Sequence, residues 1–160
     1  MFGIILKNTS PFLERSFPMP INPYLVFNGN TREAIMFYAQ VFGQELPDIM
    51  EFGPGPGPDG QPYPEEMQSL VLHAELIVHG TRLMFSDAMP HDPVTIGQNV
   101  TLALHLSDVD LLQKTFDQLA KDGNVIMPIQ KTFWSEAYGI VEDTFGVQWQ
   151  VNHVESEVAV

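Results

Sequence analysis

The sequence predicts an α+β fold built from two βαβββ modules, on three observations. One stretch, Gly80-Thr81-Arg82-Leu83-Met84-Phe85-Ser86-Asp87, is echoed by Gly146-Val147-Gln148-Trp149-Gln150-Val151-Asn152-His153 in spacing and alternation. Each half of the chain has one amphipathic helical stretch that opens at a cap signal, after Asn30 and after Asp108. The other structured runs are short, alternate with a period of two and are punctuated by turn residues. A repeated supersecondary unit outweighs any single motif as a fold signal. One helix covers little of the sheet in each half, so the halves are expected to pair within one structural domain.

In chain order, residues 1–20 carry Pro11, Pro18 and Pro20 without a sustained period and read as an N-terminal extension. The first module is expected over 21–88. Tyr24 to Phe27 reads as a strand, and Asn28-Gly29 ends it. Asn30 with Glu33 three positions on has the form of an N-terminal cap. Ala34, Phe37, Tyr38 and Val41 share one helical face, and Gly43 suits a left-handed stop. Glu45 to Phe52 reads as a strand that Pro47 relegates to an edge. The run Gly53 to Pro64, rich in Gly and Pro, must be an exposed loop, either a long hairpin connection or a lid. Leu70 to Val78, with His73, Glu75 and Ile77 on one face, and Thr81 to Ser86 form a hairpin about His79-Gly80.

Residues 89–98 read as a linker and 99–154 as the second module, followed by a 155–160 tail. Val100 to Leu106 alternates Val100, Leu102, Leu104 and Leu106 with Thr101, Ala103 and His105. Ser107-Asp108 caps a helix from Val109 to about Lys121, with Val109, Leu112, Phe116, Leu119 and Ala120 on its buried face and Gly123 as its stop. Val125 to Trp134 and Glu136 to Glu142 read as strands. The last strand follows the turn Asp143-Thr144-Phe145-Gly146 and sets Val147, Trp149 and Val151 against the neutral polar Gln148, Gln150 and Asn152. One face is therefore packed, and the other offers hydrogen-bonding side chains.

Composition narrows the function. Asp and Glu outnumber Lys and Arg by 20 to 7, a net charge of −13. That charge argues against a nucleic-acid partner, which needs clustered basic residues. There are no cysteines, so disulfides, thiol catalysis and iron–sulfur clusters are excluded. No apolar run approaches the roughly 20 residues that span a bilayer. The opening Met1 to Lys7 is too short for a secretory core. The expectation is a cytoplasmic protein with no membrane partner.

The residues Pro23-Tyr24-Leu25-Val26-Phe27-Asn28-Gly29-Asn30, Ala34, Phe37-Tyr38, Phe42-Gly43, His73-Ala74-Glu75-Leu76 and Phe85-Ser86-Asp87 resemble the vicinal-oxygen-chelate superfamily. In the second half, Thr132-Phe133-Trp134, Tyr138-Gly139 and Asp143 to Trp149 carry the same resemblance. This is the glyoxalase and bleomycin-resistance fold, and within it the PhnB-like subgroup. The resemblance spans about Pro20 to Val154 and implies mixed sheets that curve around a cleft, commonly in a homodimer. It also implies where metal-using members place ligands: on the first strand of each module, and four residues past the turn glycine on each last strand. Those places hold Pro23, Met84, a position near Thr101, and Gln150, where chelating members carry Glu. An amide, a thioether and a hydroxyl do not offset the desolvation of a hard divalent ion. No metal or other cofactor is therefore expected at the usual place. A divalent metal remains possible at a relocated site drawing on His73, Glu75 or His105.

The alternation that packs Trp149 turns Gln148 and Gln150 toward the cleft. Thr101, Trp134 and Tyr138 join them as expected cleft residues, while His105 reads either as a satisfied structural histidine or as a sixth member. His73 and Glu75, roughly 7 Å apart along a strand, read as a solvent-facing or dimer-facing pair. No nucleophile with an adjacent base is legible. A methyltransferase is not supported, since no glycine-rich loop follows a strand to hold a nucleotide cofactor. Three functions follow: a metal-independent binder of a small organic molecule; a metal-dependent lyase, transferase or dioxygenase; and a dimeric scaffold.

Overall fold

A computed structural model describes residues 21–155. The expected extension over 1–20 and the tail beyond 155 lie outside the described residues. The first module runs β1 (Tyr24–Phe27), α1 (Thr31–Val41), β2 (Met50–Glu51), β3 (Val71–Val78) and β4 (Thr81–Asp87). The second runs β5 (Leu102–Leu106), α2 (Val109–Leu119), β6 (Asn124–Gln130), β7 (Tyr138–Glu142) and β8 (Gln148–His153). Each module is a four-stranded mixed sheet, ordered β1-β4-β3-β2 and β5-β8-β7-β6. In both, the first strand lies parallel to the last, which is antiparallel to the strand before it. The repeat seen in the sequence is thus a repeat of topology, and Gly80 and Gly146 occupy its two equivalent turns at φ +82°.

Several boundaries differ from the sequence reading, each for a local reason. The expected strand over 45–52 shrinks to Met50–Glu51, paired at an edge with β3. The strand expected to reach Trp134 stops at Gln130, and the chain then turns through a Thr132 N–H bond to the Ser135 carbonyl. Val109 is exposed, leaving Leu112, Phe116 and Leu119 as the buried stripe of α2. The left-handed residue after α2 is Asp122, at φ +59°, not Gly123. Gly123 is instead required by close approach: a Cβ there would run into the Glu142 carbonyl oxygen.

The two helix starts solve one problem in two ways. Asp108 caps α2 by itself, accepting from the N–H groups of Asp110 and Leu111. Asn30 stands at the start of α1, but its side chain makes no capping bond. The cap comes from the neighbouring strand end: Asp87 Oδ1 accepts from Gly29 N–H (3.0 Å), Thr31 N–H (3.1 Å) and the Thr31 hydroxyl (2.6 Å). Its Oδ2 accepts from Val71 N–H at 2.8 Å. One buried carboxylate therefore fastens β4, β3 and the β1–α1 turn together.

A second buried carboxylate, Asp143, joins the modules. Its Oδ1 accepts from the N–H groups of Phe145 (2.9 Å) and Val147 (3.0 Å), shaping the β7–β8 turn. Its Oδ2 accepts from Trp149 Nε1–H (2.9 Å) in the second module and from the Tyr38 hydroxyl (2.7 Å) in the first. Around this point Tyr38 packs against Trp149 and Phe145, with ring centroids 5.8 and 6.1 Å away. Phe27 meets Phe145 edge-on and Phe42 leans on Trp149. One contiguous apolar cluster spans both modules, from Phe27 and Ala34 to Trp149 and Val151.

With the helices and this seam on one side, each sheet has a face that the described residues leave open. On the first sheet it carries Tyr24, His73, Glu75, Ile77, Arg82, Met84 and Ser86; on the second, Ala103, His105, Tyr138, Ile140, Gln148, Gln150 and Asn152.

Candidate functional site

The open face of the second sheet contains a hollow of about 330 Å³ lined by Ala103, His105, Trp134, Tyr138, Gln150 and Asn152. Strand register assembles it. Ala103 lies opposite Gln150, and Asn152 sits between His105 on β5 and Tyr138 on β7. Because side chains alternate across a sheet, these five must share a face once Trp149 and Val151 are committed to the core.

Trp134 comes from the β6–β7 loop, which is held at both ends. The Ser135 hydroxyl is buried, within hydrogen-bond distance of the Ala137 (2.9 Å) and His153 (3.1 Å) carbonyls. Ser135 N–H donates in turn to the Thr132 hydroxyl at 3.1 Å. At the surface Lys131 donates to Glu136, and that bond together with the lysine charge holds the Glu136 carboxyl below its ordinary range. So fixed, Trp134 stands edge-on to Tyr138 at 5.4 Å and to Phe133 at 4.5 Å.

The hydrogen bonding of the floor is directional. The Tyr138 hydroxyl donates to Gln150 Oε1 at 2.9 Å, and Gln150 Nε2 donates to the Thr101 hydroxyl at 2.8 Å. Both ends of the Gln150 amide are therefore engaged, which fixes its orientation. Asn152 Oδ1, by contrast, is a buried acceptor without a partner among the described residues. Buried polar atoms are paired in the great majority of cases, so an orphan beside a hollow requires an account.

Of the six expected cleft residues, the structure brings His105, Trp134, Tyr138 and Gln150 into the wall of the hollow. Thr101 stands behind Gln150 as its hydrogen-bond partner. Gln148 is not brought in: it faces Glu142 and a separate groove between the modules, lined by Tyr24, Ile96 and Phe145 among others. His105 is exposed, which corrects its reading as a satisfied structural histidine. The sequence places Asn152 on the polar face of the last strand but not among the cleft residues, and gives Ala103 no role, although the alternation that selects Gln150 also selects Asn152. The loop 53–64 is an ordered hairpin, closed by a Pro56–Pro62 bridge and an edge-on Phe52–Tyr63 contact. It supplies no residue to the hollow.

The three residues considered for a relocated metal site are not brought together. His73 Nδ1 lies 3.2 Å from the Tyr24 hydroxyl, and Glu75 is paired with Arg82 at 3.3 Å, both on the first sheet. His105 belongs to the second sheet. Among the described residues, no three His, Asp or Glu side chains stand close enough to share an ion. The family's usual metal place does not fit an ion either, since Gln150 is neutral and already spends its carbonyl oxygen on Tyr138.

Residues 20–151 match the Glyoxalase/Bleomycin resistance protein/Dioxygenase superfamily. The chain belongs to this superfamily. Within it, the chain is 35% identical over 148 residues to Protein YjdN of Escherichia coli K12, covering 87% of this chain and 98% of that one. Among solved structures it is similar to protein PA1353 from Pseudomonas aeruginosa, with a TM-score of 0.72 and 35% identity over 84% of this chain and 97% of the other. A Bacillus cereus protein described as a putative 3-demethylubiquinone-9 3-methyltransferase, PhnB protein, aligns with a TM-score of 0.65 and 26% identity over 84% and 98% of the two chains. These relatives support a place in the PhnB-like subgroup. They match nearly their whole length, so the paired βαβββ modules constitute the shared unit.

Proposed function

We propose that this superfamily member binds a small organic molecule in the hollow on its second sheet, without the metal that chelating relatives use. The observation that carries the reading is the Tyr138–Gln150–Thr101 chain: the position where those relatives present a carboxylate holds an amide fixed on both sides. An amide locked in this way can orient a ligand, but it has no usable pKa for acid–base work. Trp134 and Tyr138 supply aromatic surface beside it, the combination of apolar wall and a few placed polar groups that suits a ligand pocket.

Two measurements test this. Purified protein should retain less than stoichiometric metal after Mn, Ni, Fe and Zn are supplied in turn; stoichiometric retention of one ion, lost in His105→Ala, overturns the metal-free reading. In a thermal-shift screen of small aromatics, a true pocket ligand should stabilise saturably, by about 2.7 kcal/mol at a hundred times its Kd. Gln150→Leu should weaken the same ligand about tenfold, roughly the effect of one lost hydrogen bond in a desolvated site. A screen with no saturable hit favours the scaffold reading instead.

The protein works as a homodimer in this proposal. In support, among the described residues each sheet is covered by a helix on one face only. The open face of the first sheet leaves Tyr24 46% and Ile77 48% exposed, alongside half-buried Met84. A second copy laid over these faces would bury them and deepen the hollow. Light scattering after size exclusion should give twice the chain mass at micromolar concentration, and Ile77→Arg should lower it toward one. A monomer mass for the unaltered protein overturns the dimer.

A further inference from the structure

We infer that the ligand of the hollow is an uncharged planar compound bearing a carboxamide-like or hydroxyl group, and that oxyanions are excluded. This rests on the hollow being a ligand site, as proposed above. Among the described residues its wall contains no Lys or Arg; its ionisable side chains are His105 and Tyr138. The nearest basic residue of the loop that supplies Trp134, Lys131, is already held by Glu136. A carboxylate or phosphonate placed here would give up part of its hydration without gaining a Lys or Arg partner, which is unfavourable. The surrounding charge of −13 adds a long-range field of the same sign.

The polar groups that remain unspent define the other half of the preference. Gln150 is fixed by one bond at each end and keeps one further N–H and one lone pair, and the Tyr138 hydroxyl has spent its single proton on Gln150, so its oxygen is left as an acceptor. Asn152 lines the hollow, and its Oδ1 is, among the described residues, a buried acceptor without a partner, which a rotation of the side chain would bring to a ligand. A ligand N–H or O–H meets both. Trp134 offers aromatic surface for a planar body and Ala103 adds no bulk opposite Gln150. A neutral amide or phenol attached to a ring satisfies every one of these constraints, whereas a benzoate satisfies only the last two.

The test is an NMR titration of the full-length protein with three matched probes: benzamide, benzoate and toluene. The Trp134 indole and Asn152 side-chain amide signals report on occupancy. The amide should bind at least tenfold tighter than the benzoate and the toluene. Asn152→Leu should remove its advantage over toluene, and Ala103→Lys, a change at an exposed wall position, should turn the preference toward benzoate. Equal binding of all three probes, with Trp134 perturbed, leaves the hollow as a ligand site but overturns the inferred ligand class. Tighter binding of the benzoate to the unaltered protein overturns it as well. If no probe moves the Trp134 signal, the ligand-site reading itself falls. Should Asn152→Leu not fold, the Ala103→Lys result decides.

Discussion

Replacing Asp143 with alanine is expected to cost about 4 kcal/mol of folding stability, a large share of what a chain of this size possesses. The residue is buried, and its carboxylate is the acceptor for four donors. Alanine orphans all of them. The Phe145 and Val147 N–H groups lie near a turn and recover some hydration. The Trp149 indole N–H and the Tyr38 hydroxyl lie in the apolar seam between the modules and cannot. An unpaired buried donor costs about 1–3 kcal/mol. Asp143→Asn separates hydrogen bonding from shape. Its amide can keep the two backbone donors only by turning its NH2 toward Trp149, whose indole nitrogen can only donate. It should therefore recover less than half of the loss. Urea denaturation reads both variants, as a fall in the midpoint at nearly constant slope. A loss under about 1 kcal/mol for Asp143→Ala would contradict the account.

The same pair predicts an alkaline limit. Burial, and then the charge and hydrogen bond of Asp143, push the Tyr38 hydroxyl well above its ordinary value, with the nearby Trp149 N–H pulling weakly the other way. The folded state thus holds a proton that the unfolded chain releases above pH of about 10. Stability is fully present below that pH and falls above it, by up to about 1.4 kcal/mol per unit. Tyr38→Phe should be less stable at neutral pH yet lose this alkaline slope. An unchanged slope would show that Tyr38 ionises as readily in the fold as out of it.

These carboxylates mark the boundary of what the sequence discloses. The fold was legible because it rests on short-range patterns: alternation in β3, β4, β5 and β8, helical spacing in α1 and α2, and the repeated glycine turn. Where the reading failed, a long-range contact had replaced a local one. Asn30 has the right letter and position for a cap, yet the bond comes from Asp87, 56 residues beyond Thr31. Gly123 looked like a helix stop, whereas its constraint is the backbone of Glu142. The hollow shows the same division. Alternation placed Gln150 on the open face, but only strand pairing sets Asn152 between His105 and Tyr138. Gln148 shares the face of Gln150 and still belongs to another groove, since a period of two fixes the face of a side chain and not its neighbours along the sheet.

A contrast between the two helix caps should expose that long-range dependence directly. Asp108→Ala removes an exposed, local cap and is expected to cost about 1 kcal/mol. Asp87→Ala, chemically the same change, should cost about 3–4 kcal/mol, because the residue is buried and is more than a cap. Its Oδ1 holds the Gly29 and Thr31 N–H groups at the positive end of α1, and its Oδ2 holds the first N–H of β3. Losing it frees the entry of α1 and the beginning of β3 at once. Asp87→Asn should recover only part of the cost: with Oδ1 kept toward α1, the NH2 faces the Val71 N–H, donor against donor. Denaturation gives the magnitudes, and amide hydrogen exchange tells where they act. In Asp87→Asn, protection should fall first at Thr31 and Val71 while β8 stays protected, as expected for a locally opening unit. Equal losses for Asp108→Ala and Asp87→Ala would mean that Asp87 acts as a local cap alone. A uniform loss of protection across both modules would instead make Asp87 part of the seam that Asp143 closes.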